Sequence, residues 1–174
     1  MNILYLCHRF PFPPTRGGKI RPFNMIRHFA ASGHRVTVCS LARSALEAAE
    51  AAGITPYCAD FDVAQVIEPI QYARMLARLP LTTPSSMGYF YSPPMARRVR
   101  ARLVEQRWDL IFVHCSSVAQ YVEHVLDVPK LLDFGDMDSH KWIEYANYKP
   151  MPMSWGYQFE GAKMKMAEKR LARR

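Results

Sequence analysis

The chain reads as an α/β protein: a doubly wound parallel sheet of the Rossmann-like kind, with helices on both faces. Three observations lead there. Short apolar runs alternate with segments of helical spacing along the whole chain, the pattern of βα units rather than of hairpins. The run Leu110-Ile111-Phe112-Val113 is continuously apolar, as in a strand covered on both faces. The first forty residues form one β-loop-α-β unit with a glycine pair, Gly17-Gly18, just before the helix.

The elements follow in order. Asn2-Ile3-Leu4-Tyr5-Leu6-Cys7 is the first strand, and it runs into a loop that opens with His8-Arg9 and closes with Gly17-Gly18-Lys19. Ile20, Phe23, Met25, Ile26 and Phe29 recur at helical spacing, and Val36 to Leu41 form the second strand. Residues 44–52 are strong helix formers, ended by Gly53 as a C-cap. Residues 54–59 read as a short third strand. Residues 64–79 have helical spacing (Val66, Ile67, Ile70, Met75, Leu76, Leu79) and stop at Pro80. Residues 81–94, rich in Thr, Ser, Pro and Tyr, read as an irregular surface excursion. Pro94 suits the first turn of a helix running to Gln106, with Met95, Val99 and Leu103 as its buried stripe. The apolar strand 109–113, a helix over 118–126 and a last strand over 130–134 complete the sheet. From Trp155 the pattern is helical to the last residue, with Trp155, Phe159, Ala162 and Met166 as one apolar stripe and Tyr157, Met164 and Leu171 as another. No Gly or Pro stop follows, which suggests a truncated chain or one domain of a longer protein. The expected division is a Rossmann-like domain over residues 1–150 and a helix over 151–174 leading to an absent C-terminal domain.

Composition narrows the class. The 174 residues are 49% apolar and 22% charged, which is globular rather than disordered. No apolar run approaches a membrane span, and the N-terminus lacks the basic start and cleavage site of a signal peptide, so a cytoplasmic protein is expected. Cys7, Cys39, Cys58 and Cys115 have no CxxC spacing and read as buried free thiols. The formal charge of +8 is concentrated in Arg97, Arg98, Arg100, Arg102 and Arg107, and in Lys163, Lys165, Lys169, Arg170, Arg173 and Arg174. Such clusters attract phosphates or anionic lipid, or simply face solvent. No nucleic-acid module accompanies them, so nucleic acid is not an expected partner. The inner face of the membrane is a second location that they allow.

Ligands of an open parallel sheet sit beyond the carboxyl ends of the strands, where the strand order reverses. A strand order of 3-2-1-4-5 makes strands 1, 4 and 5 neighbours. Their ends deliver His8 and Arg9, then Gly17 and Gly18; His114 with Ser116 and Ser117; and Asp133, Asp136, Asp138, Ser139, His140 and Lys141. The N-terminus of the first helix adds a partial positive charge beside glycines that let a ligand approach the backbone. Sharper motifs are missing. There is no GxxxxGK[ST] phosphate loop, no GxGxxG and no GxSxG elbow. The spacing of His8, His114, Asp136, Asp138 and His140 is not that of a structural metal site.

The chain resembles the N-terminal half of a GT-B glycosyltransferase of the family 4 type, and is most similar to sugar transferases associated with PEP-CTERM/exosortase exopolysaccharide loci. The matching residues are His8-Arg9-x-Pro11-x-Pro13-Pro14, Gly17-x-Lys19-Ile20-Arg21-x-Phe23-Asn24, His34-Arg35-Val36 and Ser116-Ser117. Leu132-Asp133-Phe134-x-Asp136-x-Asp138-Ser139-x-Lys141-Trp142, Tyr157-x-x-Glu160 and Glu168-Lys169-Arg170 continue the match over essentially the whole chain. The resemblance implies an acceptor-binding domain facing a second domain that holds a nucleotide sugar through a Glu-x7-Glu element. Glu160 and Glu168 have that spacing but fall on the last helix, outside the donor domain. It implies a catalytic role for His114, at the position that contacts the donor sugar or supports the transition state. It further implies substrate binding by His8, Arg9, Gly17, Gly18, Arg21, Asp136, Asp138 and Lys141. No metal and no cofactor are expected; the donor is a nucleotide sugar and the acceptor a glycan or lipid-linked saccharide. The competing readings are a standalone Rossmann-like module docking to membrane or protein without catalysis, and a small nucleotide-dependent enzyme complete in itself.

Overall fold

A computed structural model describes residues 1–173. Five strands, β1 (Asn2–Cys7), β2 (Arg35–Ala42), β3 (Asp60–Gln65), β4 (Leu110–His114) and β5 (Lys130–Asp133), form one sheet in the order β3-β2-β1-β4-β5, every neighbouring pair parallel. The expected order is therefore the observed one.

The pleat splits each strand between two cores. Leu4, Leu6, Leu41, Ile111 and Val113 face one way, onto Met95 and Val99 of helix α5 (Pro93–Glu105) and onto the Ser116–Tyr121 3-10 turn. Ile3, Tyr5, Cys7, Val36, Val38 and Phe112 face the other, onto Ile26 of helix α1 (Gly17–Ala31) and onto Ile54. The Tyr5 ring stacks on Phe112 at 4.8 Å. Helices thus cover both faces, which is why the inner strands β1, β2 and β4 are largely apolar.

Several elements differ from expectation. The helix at 44–52 is shorter: α2 spans Ala45–Glu50, capped by Ser44 Oγ, which accepts the Glu47 N–H at 3.1 Å. Gly53 is not its C-cap but lies inside a 3-10 segment, Ala51–Tyr57, at the place where the third strand was expected. A Cβ at Gly53 would fall 2.2 Å from Phe12 Cε1, so the glycine serves close packing. Strand β3 instead takes Asp60-Phe61-Asp62-Val63-Ala64-Gln65, whose acids lie on an edge strand. Helix α3 (Glu68–Ala77) buries Gln71, while Ile67, Ile70, Leu76 and Leu79 are exposed. It packs beside helix α4 (Ser85–Tyr89), a short helix within the expected irregular excursion. Gln71 Nε2 donates to the carbonyls of Tyr89 and Tyr91, at 2.7 and 3.0 Å. The expected helix over 118–126 is only the 3-10 turn. Cys7 and Cys39 are buried, whereas Cys58 and Cys115 are half-buried; all four are free thiols.

The last two helices, α6 (Asp138–Ala146) and α7 (Met153–Leu171), pack against each other. Gly161 permits their approach, since a Cβ there would lie 2.6 Å from Ile143 Cγ1. The stripe of Trp155, Phe159 and Met166 is exposed rather than buried. The buried side of α7 is largely polar. Glu160 accepts the Ser85 and Ser86 N–H groups at the start of α4, at 3.0 and 2.8 Å. Glu168 accepts the Ser139 N–H at the start of α6, at 3.0 Å. Lys163 is 1% exposed, not part of a solvated basic face; its Nζ donates to Ser85 Oγ and to the Arg78 and Leu79 carbonyls beyond α3. Two glutamates of α7, just over two turns apart, thus accept the first amides of two other helices. Arg174, the last residue of that basic cluster, lies outside the described residues. Among the described residues no helix is long and apolar enough to cross a membrane.

Candidate active site

The strand register sets the site. Cys7 pairs with His114, and His114 with Asp133, so strands β1, β4 and β5 end in one row. Around that row a cleft of about 390 Å³ is lined by His8, Arg9, Gly17, Gly18, Arg21, His114, Asp136, Asp138 and Lys141, together with Cys115, Phe134 and Gly135. The nine residues implied by the resemblance all line this cleft, whereas Ser116, Ser117, Asp133, Ser139 and His140, also expected at the strand ends, are not among its lining residues. A larger hollow of about 590 Å³ lies between Leu103 and Val128, next to Trp108 and hence at the amino-terminal end of β4. It does not adjoin the strand ends where an open α/β sheet presents its chemistry.

Gly17 and Gly18 are the first two residues of α1, which begins with the glycine pair rather than just after it, and both are exposed. Their amides belong to the first turn, which has no intrahelical acceptors. Arg16 is the N-cap and has no side-chain cap bond, so the α1 dipole opens onto the cleft.

His114 is 5% exposed and its Nδ1 lies 3.0 Å from Asp133 Oδ2. A carboxylate in that place selects the Nδ1–H tautomer and leaves Nε2 as a lone-pair acceptor. Asp133 also receives Arg21 and the Gly135 N–H on Oδ1, each at 3.0 Å. Asp133 was visible in the sequence as a strand-end acid; its part in holding both His114 and Arg21 was not. That part follows from the β4–β5 register, which no local pattern encodes.

His8 stacks with His114 at 6.0 Å between ring centroids and meets Phe90 edge-on at 5.4 Å. Its Nδ1 is buried without a hydrogen-bond partner, as is Arg9 Nε. Burial, reinforced by the neighbouring His114, Arg9, Arg43 and Lys141, lowers the His8 pKa to about 3, so the ring is neutral at physiological pH. Asp138 accepts the Ser116 hydroxyl at 3.3 Å, and burial raises its pKa against the pull of Lys141.

Cys115 has φ 84° and ψ 131°, a conformation that L-residues rarely adopt. Its N–H donates to the Asp133 carbonyl at 2.8 Å, which fixes the turn. Burial raises the thiol pKa above its ordinary value, so Cys115 is not poised as a thiolate nucleophile. The sequence marks Cys115 only as one of four free cysteines, not as a residue of the site.

The arrangement can do three things: accept a proton or hydroxyl hydrogen bond at His114, attract an anion between Arg21 and the α1 N-terminus, and hydrogen-bond hydroxyl groups through Asp136, Asp138 and Lys141. Among the described residues no three His, Cys, Asp or Glu side chains converge as a metal-ligand set.

No family model and no curated protein matches the chain. Among solved structures it is similar to the C-terminal domain of a hydrogenase from Pyrococcus furiosus, at 17% identity and a TM-score of 0.48, over 76% of this chain and 89% of that one.

Proposed function

We propose that this chain is the acceptor-binding half of a glycosyltransferase that moves a sugar from a nucleotide sugar to a glycan or lipid-linked saccharide. One observation carries the reading: the nine residues named by the resemblance line a single cleft at the carboxyl edge of the sheet. In this reading Asp136, Asp138 and Lys141 bind saccharide hydroxyls, and His114 Nε2 faces the sugar undergoing transfer. Arg21 and the Gly17 and Gly18 amides stabilise the diphosphate charge that develops as the donor leaves. A second domain holds the nucleotide. Among the described residues, the cations of this cluster that remain free for an anionic membrane surface are Arg97 and Arg100 of α5 and Arg107 just beyond it. Arg102 is committed to Asp60 and Asp62, and Arg98 to the Val63 carbonyl. Tyr89, Phe90 and Tyr91 are half-buried, with Tyr91 stacked on Tyr121.

The test has two arms. The 174-residue chain should neither transfer nor hydrolyse sugar from a panel of UDP- and GDP-sugars. It should bind oligosaccharides in the millimolar range, with NMR shifts at residues 133–141 that are lost in Lys141→Ala. Turnover by this chain alone, or the absence of any saccharide binding, would overturn the reading.

A further inference from the structure

Sharing Arg9 with the cleft is a further cavity of about 250 Å³, between the loop after β1, the first turn of α1 and the β2–α2 junction. It has an unusual charge inventory. Arg9, Arg16, Lys19 and Arg43 line it, opposed only by Glu47 and Glu50. Lys19 is spent: it is buried and ion-paired with Glu47, whose other oxygen takes the Arg43 N–H at 2.7 Å. Glu47 is therefore engaged on both oxygens and Glu50 is solvent-exposed. Among the described residues the three guanidinium groups of Arg9, Arg16 and Arg43 have no carboxylate partner. Arg43 rests on the face of Tyr89 at 5.7 Å instead. Burial, then the Arg43 charge, works against the charged form of Arg9; the Glu47 charge offsets this only in part, Arg16 adds to it, and Arg9 Nε is buried without an acceptor. Four cations and two carboxylates leave the cavity with a net charge of about +2.

Gathering three like charges around an open space is unfavourable unless something balances them. The planar fork of arginine is matched in geometry to phosphate oxygens, and a phosphoryl dianion cancels the surplus. We propose that this cavity is a second binding site, which takes the phosphoryl group of a ligand and clamps it with Arg9, Arg16 and Arg43. Arg9 lines both cavities, so the bound phosphoryl group adjoins the saccharide cleft. The inference goes beyond the proposed function, because it rests on the arginines and requires no transfer reaction.

The experiment is an NMR titration of the 174-residue protein at low ionic strength with three probes. These are inorganic phosphate, pyrophosphate, and a short-chain phosphatidic acid kept below its micelle concentration. Saturable shifts should centre on the amides of residues 16–19 and 43–47, and the tightest probe tells a free anion, a diphosphate and a lipid headgroup apart. Arg16→Gln with Arg43→Gln should weaken binding at least tenfold. Arg27→Gln with Arg35→Gln, both exposed and lining neither cavity, should change it less than twofold. If the first pair fails to fold by circular dichroism, Arg43→Lys keeps the charge, removes the fork, and should still weaken binding about threefold. Equal weakening by both pairs, or shifts centred on Arg21 and residues 133–141, would overturn the second site. Saccharide binding lost while phosphate binding persists would refute the proposed function and leave this site standing.

Discussion

His8 carries a free-energy cost on acidification. Its folded pKa lies at about 3 against an ordinary 6.5, so the folded protein resists protonation that the unfolded chain accepts. Its contribution to stability is complete above pH 6.5 and is lost as the pH falls from there toward 3. Urea unfolding at pH 7.5 and pH 5 should show this loss, and His8→Asn should flatten it; a wild-type slope retained in the variant would discredit the assignment. Cys115 carries a cost of a different kind. At φ 84° its Cβ is strained. Cys115→Gly should leave stability unchanged or raise it by about 1 kcal/mol, whereas Cys115→Val should lower it by about 2 kcal/mol. Similar midpoints for the two variants in urea would show that the turn is unstrained.

At the scale of elements, polar side chains do much of the joining. Glu160 sits with its pKa below the ordinary 4.5. Burial pushes it upward, but the amides of Ser86 and Ser85, the Ser86 hydroxyl and the Lys163 charge outweigh that. A depressed carboxyl stabilises the fold above its unfolded pKa and loses that stabilisation as pH falls through the folded one. Stability should therefore drop below about pH 4.5. Glu160→Gln should cost about 3 kcal/mol at neutral pH, since it leaves Lys163 buried without its counter-charge. Thermal melts at pH 7 and pH 4 check both statements, and a neutral-pH loss under 1 kcal/mol would contradict them. The same residues explain where sequence reading stopped. The strands were legible because burial on both faces leaves unbroken apolar runs, as in Leu110 to Val113. The α3 and α7 stripes misled because apolar spacing shows that a helix has a face but not what it packs against. Glu160 and Lys163 act across 75 and 78 residues of sequence, at Ser85, and no local pattern carries that information.

For the molecule as a whole, the site was legible because parallel strands must end together. Once the order β3-β2-β1-β4-β5 is inferred, the ends of β1, β4 and β5 define one cleft whatever the helices do. The charge distribution was less legible, since a count of arginines does not separate those that tie β3 to α5 from those facing water. That separation gives a prediction for the membrane. Co-sedimentation with phosphatidylglycerol vesicles should weaken at least tenfold when Arg97, Arg100 and Arg107 become Gln, at about 1 kcal/mol per cation near an anionic surface. High salt should abolish it. Indifference to vesicle charge would leave these arginines as a solvated face.

Because α7 supplies the carboxylates at the starts of α4 and α6, those helices cannot open independently of it. Detachment of α7 would expose the amides of Ser85, Ser86 and Ser139 in a single event. These three amides, distant in sequence, should exchange hydrogen for deuterium with one common opening free energy, and α7 should behave as a latch whose release loosens both helices at once.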